Sequence, residues 1–486
     1  MNKFFSLKPL TLACLCVATT ASAIGLDDDK NALPEIGTAA VSTLSLDKER
    51  LYGDAMMRSI RASQPVIYDP VLDEYINDLG NRLVQQADDA YYQFNFFMLN
   101  QKDINAFAFF GGNVGIHSSL MLLADDESEL AAVIAHEIAH VTQRHLARRI
   151  EAQSRNSPMT IAGVVSGVLL ALINPQMGMA ALSTTLAATQ QMGINYTRSN
   201  EKEADRVGMD ILVASDFDPN GAPNFFRKMA GKSRYSSKPP AFLLTHPLPE
   251  SRIADSRTRA NRYPDRAVPA SLKFELAKAR LKVRYSGTNA RDNITSFQDI
   301  LYREKYQVKQ AAEYGLALSY FENKDYQKAY EIVATLMKQQ PHNLFYVDTM
   351  SDILLAQEKY SQALAMLQDL ALIMPYNQVV TLNYANIAYK AKQYKLAENL
   401  LQDFLMLNKE HFLAHDLLSS VYQEQQKSAQ MHMQKAELMA LMAQYPRAVD
   451  ELHTAYNFAS DDSLTQKRIK ARILQFQEKE NELKRF

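Results

Sequence analysis

The stretch Ala135-His136-Glu137-Ile138-Ala139-His140 decides how the first half of the chain folds and what it can bind. It lies in residues 127–149, which contain neither proline nor glycine and which the sequence predicts as one uninterrupted helix. Residues four apart share a helix face, about 5–6 Å apart at Cβ, so His136 and His140 can reach one metal ion. Glu137 points about 100° around the helix, where its carboxylate can take a proton from a metal-bound water. The spacing therefore favours a zinc peptidase site.

A chance match is the alternative, because the pattern fixes only three positions. The surrounding residues argue against chance. Asp126 followed three residues later by Glu129 resembles a capping box at the start of the helix. Ala135 and Ala139 are small neighbours of the histidines, and they leave room for a metal and a substrate.

A second motif supplies the third protein ligand that a catalytic zinc needs besides its open water position. Glu201 and Asp205 lie four residues apart, again on one helix face. Glu201 is predicted as the ligand, and Asp205 as the carboxylate that orients a zinc-bound imidazole. The alternative is an acidic, solvated start of a helix.

The two motifs together resemble the zinc metallopeptidase family that includes the CAAX prenyl protease and HtpX. Residues 105–112, Asn-Ala-Phe-Ala-Phe-Phe-Gly-Gly, resemble the edge strand and turn before the active-site helix of that family. Residues 245–247, Thr-His-Pro, and 250–253, Glu-Ser-Arg-Ile, resemble its T-H-P…R-I segment. The resemblance covers about residues 45–260. It departs at residues 116–120, Ile-His-Ser-Ser-Leu, where relatives often have a glycine before the leucine.

His246 has three interpretations. It lies in a loop braced by Pro247 and Pro249, so it could be a packed loop histidine. It could be a catalytic donor that stabilises the oxyanion. It could also be a fourth zinc ligand that displaces water and keeps the enzyme latent until the loop moves. The last is favoured, because a protease close to folding substrates benefits from restraint.

The first residues have the pattern of a secretory signal. Lys3 and Lys8 provide positive charge, residues 10–17 are apolar, and Ala21-Ser22-Ala23 fits a cleavage site after Ala23. A lipoprotein signal ending at Cys14 is the alternative, but Thr11 fits it poorly. Both cysteines of the chain lie in this segment. The mature protein would therefore have no disulfide and no thiol chemistry, and its predicted location is the periplasm.

Composition excludes other classes of function. The chain has 486 residues and a net charge of −1, which gives no argument for nucleic-acid binding. Its 47% hydrophobic and 22% charged residues are typical of a globular protein. An integral membrane protease is disfavoured, because no segment after the signal reaches the roughly 20 apolar residues that span a bilayer.

An apolar insert, residues 160–190, separates the two metal motifs. Residues 160–173 are almost wholly apolar, Asn174-Pro175 interrupts them, and residues 179–188 form a second run of small apolar residues. Two interpretations remain open. The insert is either a buried helical hairpin, or an apolar lid that contacts a membrane surface or a partner beside the active site.

The C-terminal part is predicted as a repeat array. Tyr-x-x-Ala quartets begin at Tyr326, Tyr360 and Tyr394, at steps of 34 residues, which is the tetratricopeptide period. The next quartet begins at Tyr445, 51 residues later, so residues 412–425 are predicted to form an unpaired helix. A stacked array of this kind binds peptides or partner proteins on its concave surface.

The flanks of the array and the remaining histidines complete this part. Residues 271–305 are predicted as a degenerate opening repeat and residues 463–486 as a polar capping helix. The histidines outside the motifs are predicted as surface or packing residues, and they are His117, His145, His342, His411, His415, His432 and His453.

The predicted fold is therefore an α+β zinc metallopeptidase domain, mainly helical with a small β-sheet, over residues 24–270. An all-α tetratricopeptide solenoid follows over residues 271–486, after a signal peptide at residues 1–23. The predicted activity is zinc-dependent endopeptidase cleavage with one Zn²⁺ per chain. The alternative is a non-proteolytic chaperone or adaptor that works mainly through its repeats.

The family resemblance implies more than the residues do. With a secretory signal before it and repeats after it, the peptidase segment resembles exported members of the family. This implies substrates among misassembled outer-membrane β-barrel proteins, partners in the outer-membrane assembly machinery, and a chaperone-like role in that assembly.

Overall fold

The structure is a computed structural model that describes residues 44–156, 187–234, 240–264 and 266–484. The predicted signal peptide and nearly all of the predicted insert at 160–190 lie outside the described residues. None of the helices in the described ranges has the length and apolar composition needed to cross a bilayer.

The first two helices begin at strong capping residues. Helix α1 spans Leu46–Ser63, and the Ser45 hydroxyl accepts a hydrogen bond from a backbone N–H of its first turn. Helix α2 spans Pro70–Val84, with proline at its first position and the Asp69 carboxylate as its N-cap. The buried side of α2 packs on the sheet and on the helix that carries His136 and His140.

Three short strands form the predicted small sheet. They are β1 (Asn95–Leu99), β2 (Ala106–Phe109) and β3 (Asn113–His117), in the order β1-β3-β2. Strand β3 is parallel to β1 and antiparallel to β2. The turn between β2 and β3 passes through Gly111 and Gly112 at φ 73° and 78°, a conformation that favours glycine.

The two outer edges of the sheet differ. The edge of β1 is covered, because Val66 bridges Leu99 and Ile67 N–H donates to the Met98 carbonyl at 2.9 Å. Strand β2 is the other edge. Just before it, the Ile104 carbonyl accepts a hydrogen bond from Phe242 N–H at 3.0 Å.

The predicted uninterrupted helix over 127–149 is wrong. After α3 (Ser118–Leu123), helix α4 spans Glu127–Thr142 and α5 spans His145–Asn156. The break lies at Arg144, which has φ 50°. Its buried guanidinium donates to Glu49 at 2.6 and 3.0 Å and to the Leu44 carbonyl. These contacts with the N-terminal segment hold the break, and they are invisible in the local sequence.

Helix α4 begins at the predicted N-cap, but the returning bond of the capping box goes to the residue before it. The Asp126 carboxylate accepts from Glu129 N–H at 3.0 Å, while the Glu129 carboxylate accepts from Asp125 N–H at 2.8 Å. Four more helices complete this half: α6 (Ala187–Ala214), α7 (Gly221–Arg234), α8 (Ala241–Thr245) and α9 (Glu250–Ala260). Helix α6 packs against α4 at Gly208, where an added Cβ would lie 3.0 Å from His136 backbone atoms.

The rest of the described chain is helical, as predicted. Its helices are α10 (Leu272–Arg284), α11 (Ala290–Tyr302), α12 (Lys309–Glu322), α13 (Tyr326–Gln339), α14 (Leu344–Ala356), α15 (Tyr360–Ile373), α16 (Gln378–Lys390), α17 (Tyr394–Leu407), α18 (Phe412–Glu424), α19 (Ser428–Leu441), α20 (Tyr445–Phe458) and α21 (Ser463–Lys484).

The predicted unpaired helix at 412–425 is also wrong. Helix α18 is followed at once by α19, and the two pack together. Helix α19 begins at Ser428, 34 residues after Tyr394, so the period continues without its tyrosine. The turn before each second helix shows the same step, with positive φ at Lys324, Glu358, Lys392 and Gln426.

The two halves share a buried junction. Helix α2 packs against α10, α14 and α16 of the array. At its N-terminus, Asp69 pairs with Arg280 at 2.7 Å, and Arg280 pairs with Asp348 at 2.7 Å. One hydrophobic core contains Leu72 of α2 and Val379 of α16. The predicted domain boundary at residue 270 lies between α9 and α10.

Candidate metal centre

Four of the predicted site residues converge on one point. One donor atom from each of His136, His140, Glu201 and His246 lies within 4.8 Å of all the others. Three of these residues are buried and His140 is half-buried. Helix α4 supplies two of them, α6 supplies Glu201, and the loop after α8 supplies His246. The acidic segment is therefore no solvated helix start, because Glu201 lies buried within a long helix.

The separations of these donors fit a zinc ion. His136 Nε2 lies 3.0 Å from His140 Nε2 and 3.4 Å from a Glu201 oxygen. His246 Nδ1 lies 3.2 Å from Glu201 Oε1 and 3.4 Å from His136 Nε2. Two ligands about 2.0–2.1 Å from a tetrahedral ion lie about 3.3 Å apart. The three imidazoles and one carboxylate also belong to the ligand types that zinc prefers.

One side of the centre is held by Asp205 and Arg252. Asp205 Oδ1 lies 3.1 Å from His136 Nδ1, the ring nitrogen that faces away from the other donors. Arg252 donates to both Asp205 oxygens at 2.7 Å. It also pairs with Glu201 at 2.8 Å and donates to the Pro247 carbonyl at 2.7 Å. Arg252 therefore ties the acidic motif to the His246 loop, a contact that the resemblance to the R-I segment did not specify.

The other side involves a histidine that the sequence did not single out. His145 was predicted as a surface or packing residue, but it is buried beside the centre. Its Nδ1 lies 2.9 Å from His140 Nδ1, and its Nε2 lies 3.1 Å from Glu203 Oε2. A sequence signal existed, since His145 follows His140 by five residues. In the predicted continuous helix, however, the His145 side chain would point away from His140.

Glu137 is buried and lies beside the donors without joining them. Its Oε1 has no hydrogen-bond donor within the described part of the chain, although His246 Nε2 lies 3.4 Å away. Burial raises the pKa of Glu137, and the positive potential of His246 and His136 offsets part of that effect. A carboxylate in this position can accept a proton from a water that approaches the donor cluster.

The imidazoles experience opposite electrostatic effects. Burial would lower the pKa of His136, but Asp205 and Glu201 raise it to about 10. Burial lowers the pKa of His140 to about 3, against the attraction of Glu201. Burial also lowers the pKa of His145 to about 4. The neighbouring carboxylates thus favour the protonated form of His136, whereas burial favours the neutral form of His140 and His145.

The remaining histidines lie apart from this centre. His117 is buried in β3, and its Nδ1 lies 2.7 Å from the Asp103 carbonyl. His415 contacts Gln434 and the Lys409 carbonyl within the array. No other cluster of three or more potential metal ligands occurs among the residues that the structure describes.

A small sheet, an H-E-x-x-H helix and a facing glutamate define a metallopeptidase, here joined to helical repeats. The model of peptidase family M48 matches residues 70–260. The tetratricopeptide repeat model matches residues 354–417, and that of anaphase-promoting complex, cyclosome, subunit 3 matches residues 300–370.

The whole chain also matches individual proteins. It is 45% identical to the putative beta-barrel assembly-enhancing protease of Vibrio cholerae, over 97% of both chains. It is 41% identical to the beta-barrel assembly-enhancing protease of Escherichia coli K12, over 99% of both. Mitochondrial metalloendopeptidase OMA1 of Schizosaccharomyces pombe is 27% identical over 42% of this chain and 54% of its own length. The chain therefore belongs to the beta-barrel assembly-enhancing proteases of peptidase family M48 and is a metalloprotease. The resemblance and the fold class predicted from the sequence are confirmed.

Proposed function

We propose that this metalloprotease is a zinc endopeptidase of the periplasm that cleaves misassembled outer-membrane β-barrel proteins. We also propose a chaperone-like role in their assembly, together with the outer-membrane assembly machinery. The observation that carries the zinc assignment is the 3.0–3.4 Å spacing of four ligand atoms, from three buried residues and the half-buried His140, around one centre. The predicted signal peptide supports the compartment. The name shared by relatives of nearly equal length supports the class of substrate.

His136, His140 and Glu201 are the proposed zinc ligands, and Asp205 orients His136. A zinc ion held there would polarise the scissile carbonyl and acidify a bound water. Glu137 would accept the proton of the attacking water and pass it to the leaving amine. Because Glu137 is buried beside the donors, its proton transfers occur away from bulk water.

Strand β2 is the proposed docking edge for the substrate chain. The opposite edge of the sheet is covered by residues 65–67, so β2 is the edge at which an extended chain can add as a strand. Helix α4 packs against β2, which places this edge beside the metal centre. A substrate that pairs with β2 would therefore pass Glu137.

His246 is proposed to hold the resting enzyme latent. Its Nδ1 lies 3.2 Å from Glu201 and 3.4 Å from His136, which is the separation of two ligands of one metal ion. Its Nε2 lies 3.4 Å from Glu137. The His246 side chain can thus occupy the position of the catalytic water and at the same time restrain Glu137, the proton acceptor. Its ring stacks on Phe242, which is hydrogen-bonded to Ile104 next to the substrate edge. Movement of this loop would release both effects.

The experiment for catalysis compares Glu137→Gln with the ligand variants His136→Ala, His140→Ala and Glu201→Ala. Zinc content and cleavage of an unfolded protein are measured on the purified mature chain. Glu137→Gln should keep its zinc and lose about 10²–10⁴-fold in rate, whereas the ligand variants should lose zinc. Cleavage by Glu137→Gln at the wild-type rate would contradict the assignment.

The experiment for latency uses His246→Ala. Basal cleavage should rise while zinc stays bound, because the water position opens and Glu137 is freed. A lower rate at unchanged zinc content would favour the oxyanion role instead and contradict latency.

A test in cells separates proteolysis from the chaperone-like role. Cells that carry only Glu137→Gln should assemble outer-membrane barrels partly, but should fail to remove stalled ones. Full function of that variant would favour the alternative, a non-proteolytic chaperone or adaptor that works through its repeats.

A further inference from the structure

His140 is held from behind by a chain of three side chains. Its Nε2 faces the donor cluster and lies 3.4 Å from Glu201. Its Nδ1 lies 2.9 Å from His145 Nδ1. On the far side of His145, Nε2 lies 3.1 Å from Glu203 Oε2, which also accepts from Arg148 at 2.9 Å.

The hydrogen-bonding capacity of these groups fixes the direction of the chain. A neutral imidazole has one N–H donor and one acceptor nitrogen. If His140 Nε2 gives its lone pair to a metal, its Nδ1 carries the proton and must donate to His145 Nδ1. His145 then carries its own proton on Nε2 and donates to the Glu203 carboxylate, which can only accept. Each bond therefore selects the tautomer that the next one requires.

The break between α4 and α5 makes this contact. In an uninterrupted helix, residues five apart point about 140° away from each other around the axis, so His145 could not face His140. The positive φ of Arg144 turns α5 back, and His145 becomes its first residue. His145 is then only 4% exposed. This helix break, which lies just after the H-E-x-x-H motif, therefore brings the His145 side chain to the metal centre.

We propose that His145 and Glu203 are positioning residues that set the tautomer and orientation of His140 for metal binding. This inference rests on the proposed role of His140 as a zinc ligand. A partner on the outer nitrogen of a metal-bound imidazole typically improves metal affinity about 10–100-fold. On the His136 side that partner is a carboxylate, whereas on the His140 side an imidazole stands between ligand and carboxylate.

The test compares two replacements of His145 in the full mature chain. Asparagine can place its Oδ1 near the position of Nδ1 and accept from His140, whereas leucine has similar bulk and no acceptor. Zinc affinity is measured by competition with a chromophoric chelator. His145→Leu should bind zinc about 10–100-fold more weakly, and His145→Asn should recover most of that loss. Unfolding midpoints in excess chelator should be alike for the two variants, which excludes a general folding defect.

The order of the hydrogen bonds, from His140 through His145 to Glu203, gives a second readout. Glu203→Ala should weaken zinc binding in the wild type but have no further effect in His145→Leu, because it acts through His145. Asp210→Ala is the matched control, since Asp210 is an exposed acid on the same helix that pairs with Arg206 and Tyr263. It should leave zinc affinity unchanged in both backgrounds.

Several outcomes would overturn the inference. Equal loss in His145→Leu and His145→Asn would mean that packing alone matters, and no loss in either would mean that His145 is idle. If Glu203→Ala weakened zinc binding in His145→Leu as much as in the wild type, Glu203 would not act through His145, and the inference would be wrong. His140→Ala is measured alongside: wild-type affinity in that variant would instead refute the proposed metal site itself.

Discussion

The metal centre and the domain junction are both buried clusters of charged and polar side chains, but they are built on opposite principles. At the junction, the Arg280 guanidinium lies between Asp69 and Asp348, both at 2.7 Å, and Tyr285 donates to Asp69. Each charge there has an opposite charge beside it. At the metal centre, three imidazoles and a carboxylate point their ligand atoms toward one another.

The pairing of charges distinguishes a buried polar cluster that stabilises the fold from one that binds a metal ion. Burying a charge is tolerated when it is paired and hydrogen-bonded, and the junction meets that condition with its own residues. At the metal centre Arg252 pairs with Glu201 at 2.8 Å, but the nitrogen and oxygen atoms that face the common centre are the donor types that bind a metal cation. The junction should therefore stabilise the fold equally at all metal concentrations, whereas the stability contributed by the centre should rise when metal is bound.

The largest expected effect is at the junction. Arg280→Met leaves Asp69 and Asp348 buried without their cation, and breaking a buried pair in this way costs about 3–5 kcal/mol. Urea unfolding of the full chain measures the loss. Arg303→Met removes an exposed pair with Asp299 and should change the unfolding free energy very little. If Arg280→Met lost as little unfolding free energy as this control, the buried junction would contribute no more than an exposed ion pair.

Metal removal should lower the stability contributed by the metal centre and leave that of the junction unchanged. At a free zinc concentration of about 100 times Kd, the wild type should be stabilised by about 2.7 kcal/mol relative to chelated protein. Glu201→Gln should lose most of that difference, because it lacks a ligand. Arg280→Met should keep all of it despite its lower stability. Calorimetry with zinc and with chelator decides, and an equal zinc effect in both variants would contradict the comparison.

A smaller effect on zinc affinity is expected for Asp205, which contacts the proposed ligand His136 and not the metal itself. Asp205→Ala removes the carboxylate beside His136 and should weaken zinc binding about 10–100-fold. The competition assay with a chelator measures it. Glu74→Ala at the junction, which breaks a contact with Asn377, should leave zinc affinity unchanged. Unaltered affinity in Asp205→Ala would remove Asp205 from the site.

The smallest effect is a pH dependence at the junction. Burial would raise the pKa of Asp69, but Arg280 lowers it below its ordinary value of 3.8. A depressed pKa contributes stability above the unfolded-state pKa and loses it as the pH falls through the folded-state value. The stability difference between wild type and Asp69→Asn should therefore shrink from pH 7 to pH 3. Asparagine keeps the α2 cap, and an equal difference at both pH values would contradict this.

Local sequence predicted the elements whose signals are local. The Asp126 cap, the glycine turn before β3 and the 34-residue tyrosine step each reflect a few neighbouring residues. The two wrong predictions have different causes. The break at Arg144 depends on Glu49, 95 positions away. The pairing of α19 follows the repeat spacing, although Ser428 lacks the tyrosine that marked the earlier repeats.

The sequence by itself determined the ligand types, the spacing of His136, Glu137 and His140, and the repeat architecture, because periodic patterns encode helix faces and repeat units. Only the tertiary structure decided that His246 reaches ligand distance, that His145 stands behind His140, and that α2 packs against the repeats. These contacts join segments that are distant in sequence or turned by a helix break. Their geometry follows from packing, which a linear pattern does not contain.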